Sequence, residues 1–190
     1  MKIGILALQG DFDAHRKALG AYPSCFVSLV RSPEELDDLH GLILPGGEST
    51  TIGKLMVRHG LLERIQSRAA YGMAIYGTCA GLILLASEIV DSEQTRLGLM
   101  DITVARNAFG RQLDSFEANV DFPTIGTDPV RAVFIRAPYV TQFGEGVEEL
   151  ARFEDRVVAV RQGKILGTAF HPELTDDHRV HGLFVDMCSQ

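Results

Sequence analysis

Met73-Ala74-Ile75-Tyr76-Gly77-Thr78-Cys79-Ala80-Gly81-Leu82-Ile83-Leu84-Leu85-Ala86 reads as a strand, a sharp turn and a helix in direct succession. The apolar run 73–76 has the length of a buried strand, and 82–86 continues in a helix-like run. Between them a cysteine stands with glycines at 77 and 81 and an alanine beside it. A turn of this kind holds its central residue in strained backbone, so its close neighbours must lack bulk. The thiol then sits above a helix N-terminus, whose positive end favours the thiolate. The amide of Ala80 points the same way and is a candidate donor to an oxyanion. A small cysteine packed between two glycines is the alternative reading, and the partners found elsewhere in the chain decide between them.

Strand and helix patterns alternate on the N-terminal side of this stretch. Apolar runs at 3–8, 25–30 and 42–44 read as buried parallel strands. Helical stretches are expected at 12–19 and 61–70. Another begins at Ser32-Pro33-Glu34-Glu35, with Ser32 as N-cap, Pro33 at the first helical position and Glu35 completing a capping box. Strand–helix alternation implies right-handed crossovers and a doubly wound α/β sheet. On the C-terminal side the pattern changes to short β-rich pieces at 99–104, 132–136, 157–161 and 164–170. Gln162-Gly163 forms a hairpin turn, and a last helix runs from about 176 to 186. The expectation is one domain over residues 1–190: a mixed sheet flanked by helices and extended by antiparallel strands in the second half.

The bulk properties exclude several classes. With 46% hydrophobic and 23% charged residues, the chain has the balance of an ordinary globular protein. A net charge of −7 repels a phosphate backbone, so nucleic acid is not an expected partner. The longest apolar runs stop short of a membrane span. Met1–Leu6 is broken by Gln9, Gly10 and Asp11, and it reads as a first strand instead of a signal peptide. Three distant cysteines, Cys25, Cys79 and Cys188, fit neither a disulfide framework nor a zinc site, and they point to reducing cytosol. Cys25 reads as part of a strand and Cys188 as part of a frayed C-terminus.

Among the six histidines, His171 is set apart because it directly follows the apolar run 165–170. That placement puts it at a strand's carboxyl end, where open α/β sheets bind ligands. Pro172 disfavours the helical region for His171, and in extended chain residues two apart face the same way. Glu173 is therefore placed to accept from His171 Nδ1–H, leaving Nε2 for the cysteine. Two surface polar residues at a strand end are the alternative. His15, His40 and His59 read as solvated or capping residues, and His178 and His181 as structural members of the last helix.

After the strand 42–44 comes Pro45-Gly46-Gly47-Glu48-Ser49-Thr50. Paired glycines let a backbone amide approach a reacting carbonyl, which makes this loop a second candidate oxyanion donor. A phosphate loop is the alternative, but the Gly-Lys-Ser/Thr of such loops is absent and Glu48 would repel the phosphate. A carboxylate suits an ammonium group, such as the α-amine of an amino acid. Arg106 and Arg136 are candidates for its α-carboxylate, with surface salt bridges the competing role.

In order, PGGES (45–49), GTCAG (77–81) and FHPE (170–173) resemble the motifs of class I, triad-type glutamine amidotransferases. Longer segments are similar to one branch of them, the glutaminase subunits of pyridoxal 5′-phosphate synthases. These are LALQG (6–10), PGGESTT (45–51), YGTCAGLILLA (76–86), NAFGRQLDSFE (107–117), FIRAP (134–138) and GTAFHPELTDD (167–177). The chain departs from that pattern at 11–14 and at Ala74. The resemblance implies hydrolysis of L-glutamine to L-glutamate and ammonia, with Cys79 as nucleophile and His171 and Glu173 completing the triad. It further implies glutamine contacts by Gly47, Glu48, Ser49, Arg106, Ile135 and Arg136, an oxyanion hole from Gly47 and Ala80, and no cofactor or metal. Its implied partner is the synthase subunit, which takes pentose and triose phosphates and receives the ammonia in the cytoplasm. No sequence is left over for an ammonia acceptor site, so activity is expected to be weak alone and to rise on docking, with Gly46-Gly47 reorienting. Two rivals remain at this level: a cysteine peptidase or γ-glutamyl hydrolase on a similar elbow, and a binding-only module with a relic triad.

Overall fold

Runs of apolar residues without a polar break form strands covered on both faces, and four of them build the centre of this molecule. The computed structural model describes residues 1–106 and 115–190. In chain order the first half comprises β1 (Lys2–Leu6), α1 (Phe12–Leu19), β2 (Phe26–Val30), β3 (Gly41–Leu44), α2 (Ser49–Arg58), α3 (Leu61–Ala70), β4 (Ala74–Thr78) and α4 (Ala80–Leu85). The second half comprises β5 (Ala86–Ile89), β6 (Met100–Ala105), β7 (Ser115–Val120), β8 (Val130–Ile135), β9 (Tyr139–Phe143), β10 (Glu148–Phe153), β11 (Arg156–Gln162), β12 (Ile165–Thr168) and α5 (Arg179–Cys188).

Among the described residues, ten strands form one sheet in the order β2-β1-β3-β4-β12-β11-β9-β6-β5, with β10 paired to β11. The pairs from β2 to β12 are all parallel. Beyond β12 the neighbours β11, β9 and β6 run antiparallel, and β5 closes the far edge parallel to β6. This is the mixed sheet with an antiparallel extension that the sequence implied. A separate ribbon pairs β7 with β8. Alternate residues of β4 serve opposite faces. The Tyr76 ring meets Phe184 and His181 of α5 and His15 of α1, whereas Gly77 faces Gly81 and Leu85 of α4. Helices therefore cover both sides.

Several elements differ from the sequence reading. The capping box at Ser32 opens only a 3-10 turn, Pro33–Leu36, although Glu35 does accept from the Ser32 backbone at 2.9 Å. The start of helix α2 is not legible in the sequence because its N-cap is Glu48, outside the preferred Ser/Thr/Asp/Asn set, although its end at His59 and Gly60 is. The last helix starts at Arg179 because Asp177 occupies the preceding turn and accepts from Arg179 N at 3.1 Å. Cys188 is not frayed: it is buried within α5, and burial pushes its thiol up to about 12. The hairpin at Gln162-Gly163 stands as expected, with Gln162 opposite Ile165 and Gly163 at φ +56°.

Candidate active site

The carboxyl ends of β1, β3, β4 and β12 lie side by side, and each delivers one part of a single cleft. At the end of β4, Cys79 adopts φ +50°, ψ −100°, a left-handed geometry that a non-glycine residue holds only under strain. The turn is that tight because a Cβ on Gly81 would lie 2.2 Å from the Leu44 carbonyl oxygen, and one on Gly77 2.5 Å from the Gly81 backbone. The backbone of Cys79 is fixed from β12, its N–H donating to Thr168 O at 2.8 Å. Its thiol donates to Ile135 O at 3.8 Å. Ala80 opens α4 and carries one of the first-turn N–H groups that have no intrahelical acceptor.

His171 follows β12 and is anchored by its backbone N–H, which donates to Val133 O of β8 at 2.8 Å. Its Nδ1–H donates to Glu173 Oε1 at 2.7 Å, the pairing that the two-residue spacing suggested. The local structure is not the extended chain assumed from Pro172. Pro172–Leu174 is a 3-10 turn, and the turn brings Glu173 back under the ring. Both side chains are withdrawn from solvent, the carboxylate completely. Burial disfavours the imidazolium, but hydrogen bonding to Cys79 and to Glu173 outweighs it and raises His171 to about 10. Burial likewise pushes the Glu173 carboxyl up, and the imidazoles of His15 and His171 overcome this and hold it at about 2. The imidazole thus stands between Glu173, to which it is hydrogen-bonded, and the cleft that it shares with Cys79.

Gly47, Glu48, Ser49, Cys79, Ala80, Arg106, Ile135, Arg136 and His171 all line the same cleft of about 410 Å³. Glu173 does not; it stands behind His171. Gly46 presses against the imidazole so closely that a Cβ there would lie 2.3 Å from His171 Cε1. The Glu48 carboxylate caps α2, accepting from Thr50 N at 3.1 Å, Thr51 N at 2.7 Å and Thr51 Oγ1 at 2.7 Å. These bonds, the Thr51 hydroxyl first, hold it at about 2, so it presents a permanent negative charge to the cleft. Arg106 donates to Gln94 Oε1 at 2.7 Å, and Arg136 sits at φ +43° just past β8. Of the segment 107–117, residues 107–114 (with Gly110, Arg111 and Gln112) lie outside the described residues.

Sequence reasoning passed over three residues here. Gln9, after β1, accepts from Glu48 N at 2.8 Å and lines the cleft beside Gly47. Gln94 gathers Arg106, Ser49 and Thr50 on one amide oxygen. His15 is neither solvated nor capping: it is fully buried, with Nε2 3.4 Å from Glu173 Oε1. The signal for it lay in α1, where His15 shares a face with Ala18 and Leu19 at helical spacing, and all three are buried.

The model of the SNO glutamine amidotransferase family matches residues 5–190. The chain belongs to this family. It is 56% identical over 188 residues to the pyridoxal 5′-phosphate synthase subunit PdxT of Pelotomaculum thermopropionicum, covering 99% of this chain and 95% of the relative. The PdxT of Desulforudis audaxviator is 58% identical over 186 residues, 98% of each. A crystal structure of a glutamine amidotransferase superposes with a TM-score of 0.94 at 49% identity, over 99% of both chains. The structure of PurLQS from Thermotoga maritima contains the same fold at 17% identity, with a TM-score of 0.73 over 97% of both chains. No helix among the described residues is long and apolar enough to cross a membrane.

Proposed function

We propose that this chain is the glutaminase subunit of a pyridoxal 5′-phosphate synthase, hydrolysing L-glutamine with Cys79, His171 and Glu173 and passing the ammonia to a synthase subunit. The observation that carries the reading is that Cys79 shares a cleft of amino-acid size with His171, whose imidazole is hydrogen-bonded to the buried Glu173. The cleft also suits the substrate's two ends. Glu48 offers its fixed negative charge to the α-ammonium, and Arg106 and Arg136 offer planar donors to the α-carboxylate, while Ser49 and Ile135 complete the wall.

In the reaction the thiol proton passes to His171 Nε2, and the thiolate attacks the side-chain amide carbon of glutamine. The carbonyl electron pair moves onto oxygen, where the amides of Gly47 and Ala80 receive it. Imidazolium returns its proton to the amide nitrogen as the C–N bond breaks, releasing ammonia and leaving a glutamyl thioester. Water then gives a proton to His171 and adds to the thioester carbon, and collapse expels thiolate and frees glutamate. Glu173 keeps the imidazole in the tautomer that these transfers need. Neutral ammonia is the nucleophile the synthase requires, and in water it is largely protonated, so docking of the synthase subunit belongs to the same reading. The relatives' names support it.

The test is a glutamate-release assay on the chain with and without the synthase subunit, and on Cys79→Ala. Weak release alone, a rise on docking and none from Cys79→Ala are expected. Release that survives Cys79→Ala would overturn the assignment, and equal rates with and without the synthase subunit would overturn its activation by docking.

A further inference from the structure

Behind the carboxylate that orients His171 lies a second layer of histidines that the glutaminase reaction does not use. His15 comes from α1 and His181 from α5, at opposite ends of the chain, and both are fully buried. Their rings are joined by a 3.0 Å contact between His15 Nδ1 and His181 Nε2. The other nitrogen of His15 lies 3.1 Å from Thr78 Oγ1 and 3.4 Å from Glu173 Oε1. Two imidazoles and a carboxylate buried together are costly unless their protons are placed consistently.

One placement satisfies the geometry. Burial lowers the basicity of both rings, that of His181 to about 3, so each is neutral and carries a single N–H. His181 Nδ1 has no hydrogen-bond partner among the described residues, which leaves its proton on Nε2, donated to His15 Nδ1. His15 must then carry its own proton on Nε2, donated to the Thr78 hydroxyl, with Glu173 Oε1 3.4 Å from the same nitrogen. The same carboxylate oxygen therefore accepts from His171 Nδ1–H on one side and faces His15 Nε2 at 3.4 Å on the other. Glu173 Oε2 has no partner among the described residues, so these contacts to Oε1 are what fix the rotation of the group.

We propose that His15 is a positioning residue for the glutaminase reaction: as a neutral donor held by His181 and Thr78, it anchors Glu173 Oε1 and, through it, the imidazole of His171. This rests on the glutaminase reading above. Neutrality is part of the role, because a charged ring at this place would divert the carboxylate's field from His171. The groups that face His15 are Glu173 and His171 from the turn after β12, Asp11 ahead of α1, His181 from α5, and Tyr76 and Thr78 from β4.

The experiment uses the chain assembled with its synthase subunit, comparing wild type, His15→Leu and His15→Gln. Glutamine can donate to Glu173 and accept from His181, whereas leucine fills space without either. Leucine should lower kcat for glutamate release about tenfold, the effect of losing roughly one net hydrogen bond, with KM unchanged because His15 does not line the cleft. It should also move the pH midpoint for alkylation of Cys79 by iodoacetamide upward, since a less well anchored imidazolium stabilises the thiolate less. Glutamine should restore both readouts towards wild type. A folded leucine variant with wild-type kcat and midpoint overturns the proposal, as do leucine and glutamine variants impaired equally. Independently of any variant, nitrogen-15 spectra of the wild type at about pH 7 should show His15 neutral with its proton on Nε2; a charged His15 there would overturn it. An assembled wild type that releases no glutamate would instead overturn the glutaminase reading itself.

Discussion

Replacing Glu173 by Gln removes one charge and keeps the shape. Glutamine can place its oxygen at the position of Oε1, 2.7 Å from His171 Nδ1, and its nitrogen at the position of Oε2, which has no partner among the described residues. The imidazole thus keeps its tautomer and orientation and loses the ionic part of the bond. A hydrogen bond to a charged group contributes about 1.5–3 kcal/mol, and each 1.4 kcal/mol is a factor of ten, so kcat should fall about 10- to 150-fold. KM should hold, because Glu173 lies behind His171 and outside the cleft. The assay is glutamate release coupled to glutamate dehydrogenase, run on the assembled complex. Stability gives a second readout with a defined pH window. The Glu173 carboxyl lies at about 2 against an ordinary 4.5, so its pairing stabilises the fold fully above 4.5 and is lost as pH falls towards 2. His171 lies at about 10 against an ordinary 6.5, so its share is complete below 6.5 and is lost as pH rises through 10. The deficit of Glu173→Gln in urea unfolding should therefore be largest between 4.5 and 6.5. An unchanged kcat, or a loss confined to KM, would show that the carboxylate's charge does not act on His171.

Three further outcomes follow from single contacts. Cys79→Gly should abolish glutamate release and yet raise stability by about 1 kcal/mol in urea unfolding, because the φ of +50° is strained for cysteine and not for glycine; a less stable variant would contradict the strain. Gly46→Ala would put a methyl carbon 2.3 Å from His171 Cε1, so the imidazole must shift, and kcat should fall about a hundredfold for a displacement near 1 Å. Steady-state rates equal to wild type would show that the ring has room. Glu48→Ala removes the cap of α2 and the charge facing the cleft, and it should cost about 1 kcal/mol of stability and raise KM for glutamine. Chemical denaturation and a glutamine titration check the two parts separately.

The legible parts of this protein were those whose chemistry is local. Gly77, Cys79 and Gly81 mark the elbow because the strand-to-helix turn excludes any Cβ at its flanks. His171 and Glu173 sit two residues apart, so their pairing survived even though the backbone between them is a 3-10 turn and not a strand. What stayed hidden depends on contacts that the sequence does not announce. The cap of α2 is a glutamate, so the start of that helix stayed hidden, and with it the fact that Glu48 holds its own helix while facing the cleft. His15 looked like a surface residue because its partners, Thr78, Glu173 and His181, are 63 or more positions away in sequence. The antiparallel strands β9 and β10 were missed because few of their residues are buried, so neither shows a clear apolar alternation.

Whether the sulfur of Cys79 performs the chemistry, with His171 and Glu173 behind it, is decided by covalent trapping. The assembled complex is treated with a glutamine-like diazo ketone, and the adduct is located by peptide mass spectrometry while residual glutamate release is followed. One adduct per chain is expected, on Cys79, with activity lost in step and labelling slowed in Glu173→Gln. An adduct on Cys25 or Cys188, or glutamate release that persists once Cys79 is fully modified, would rule that chemistry out.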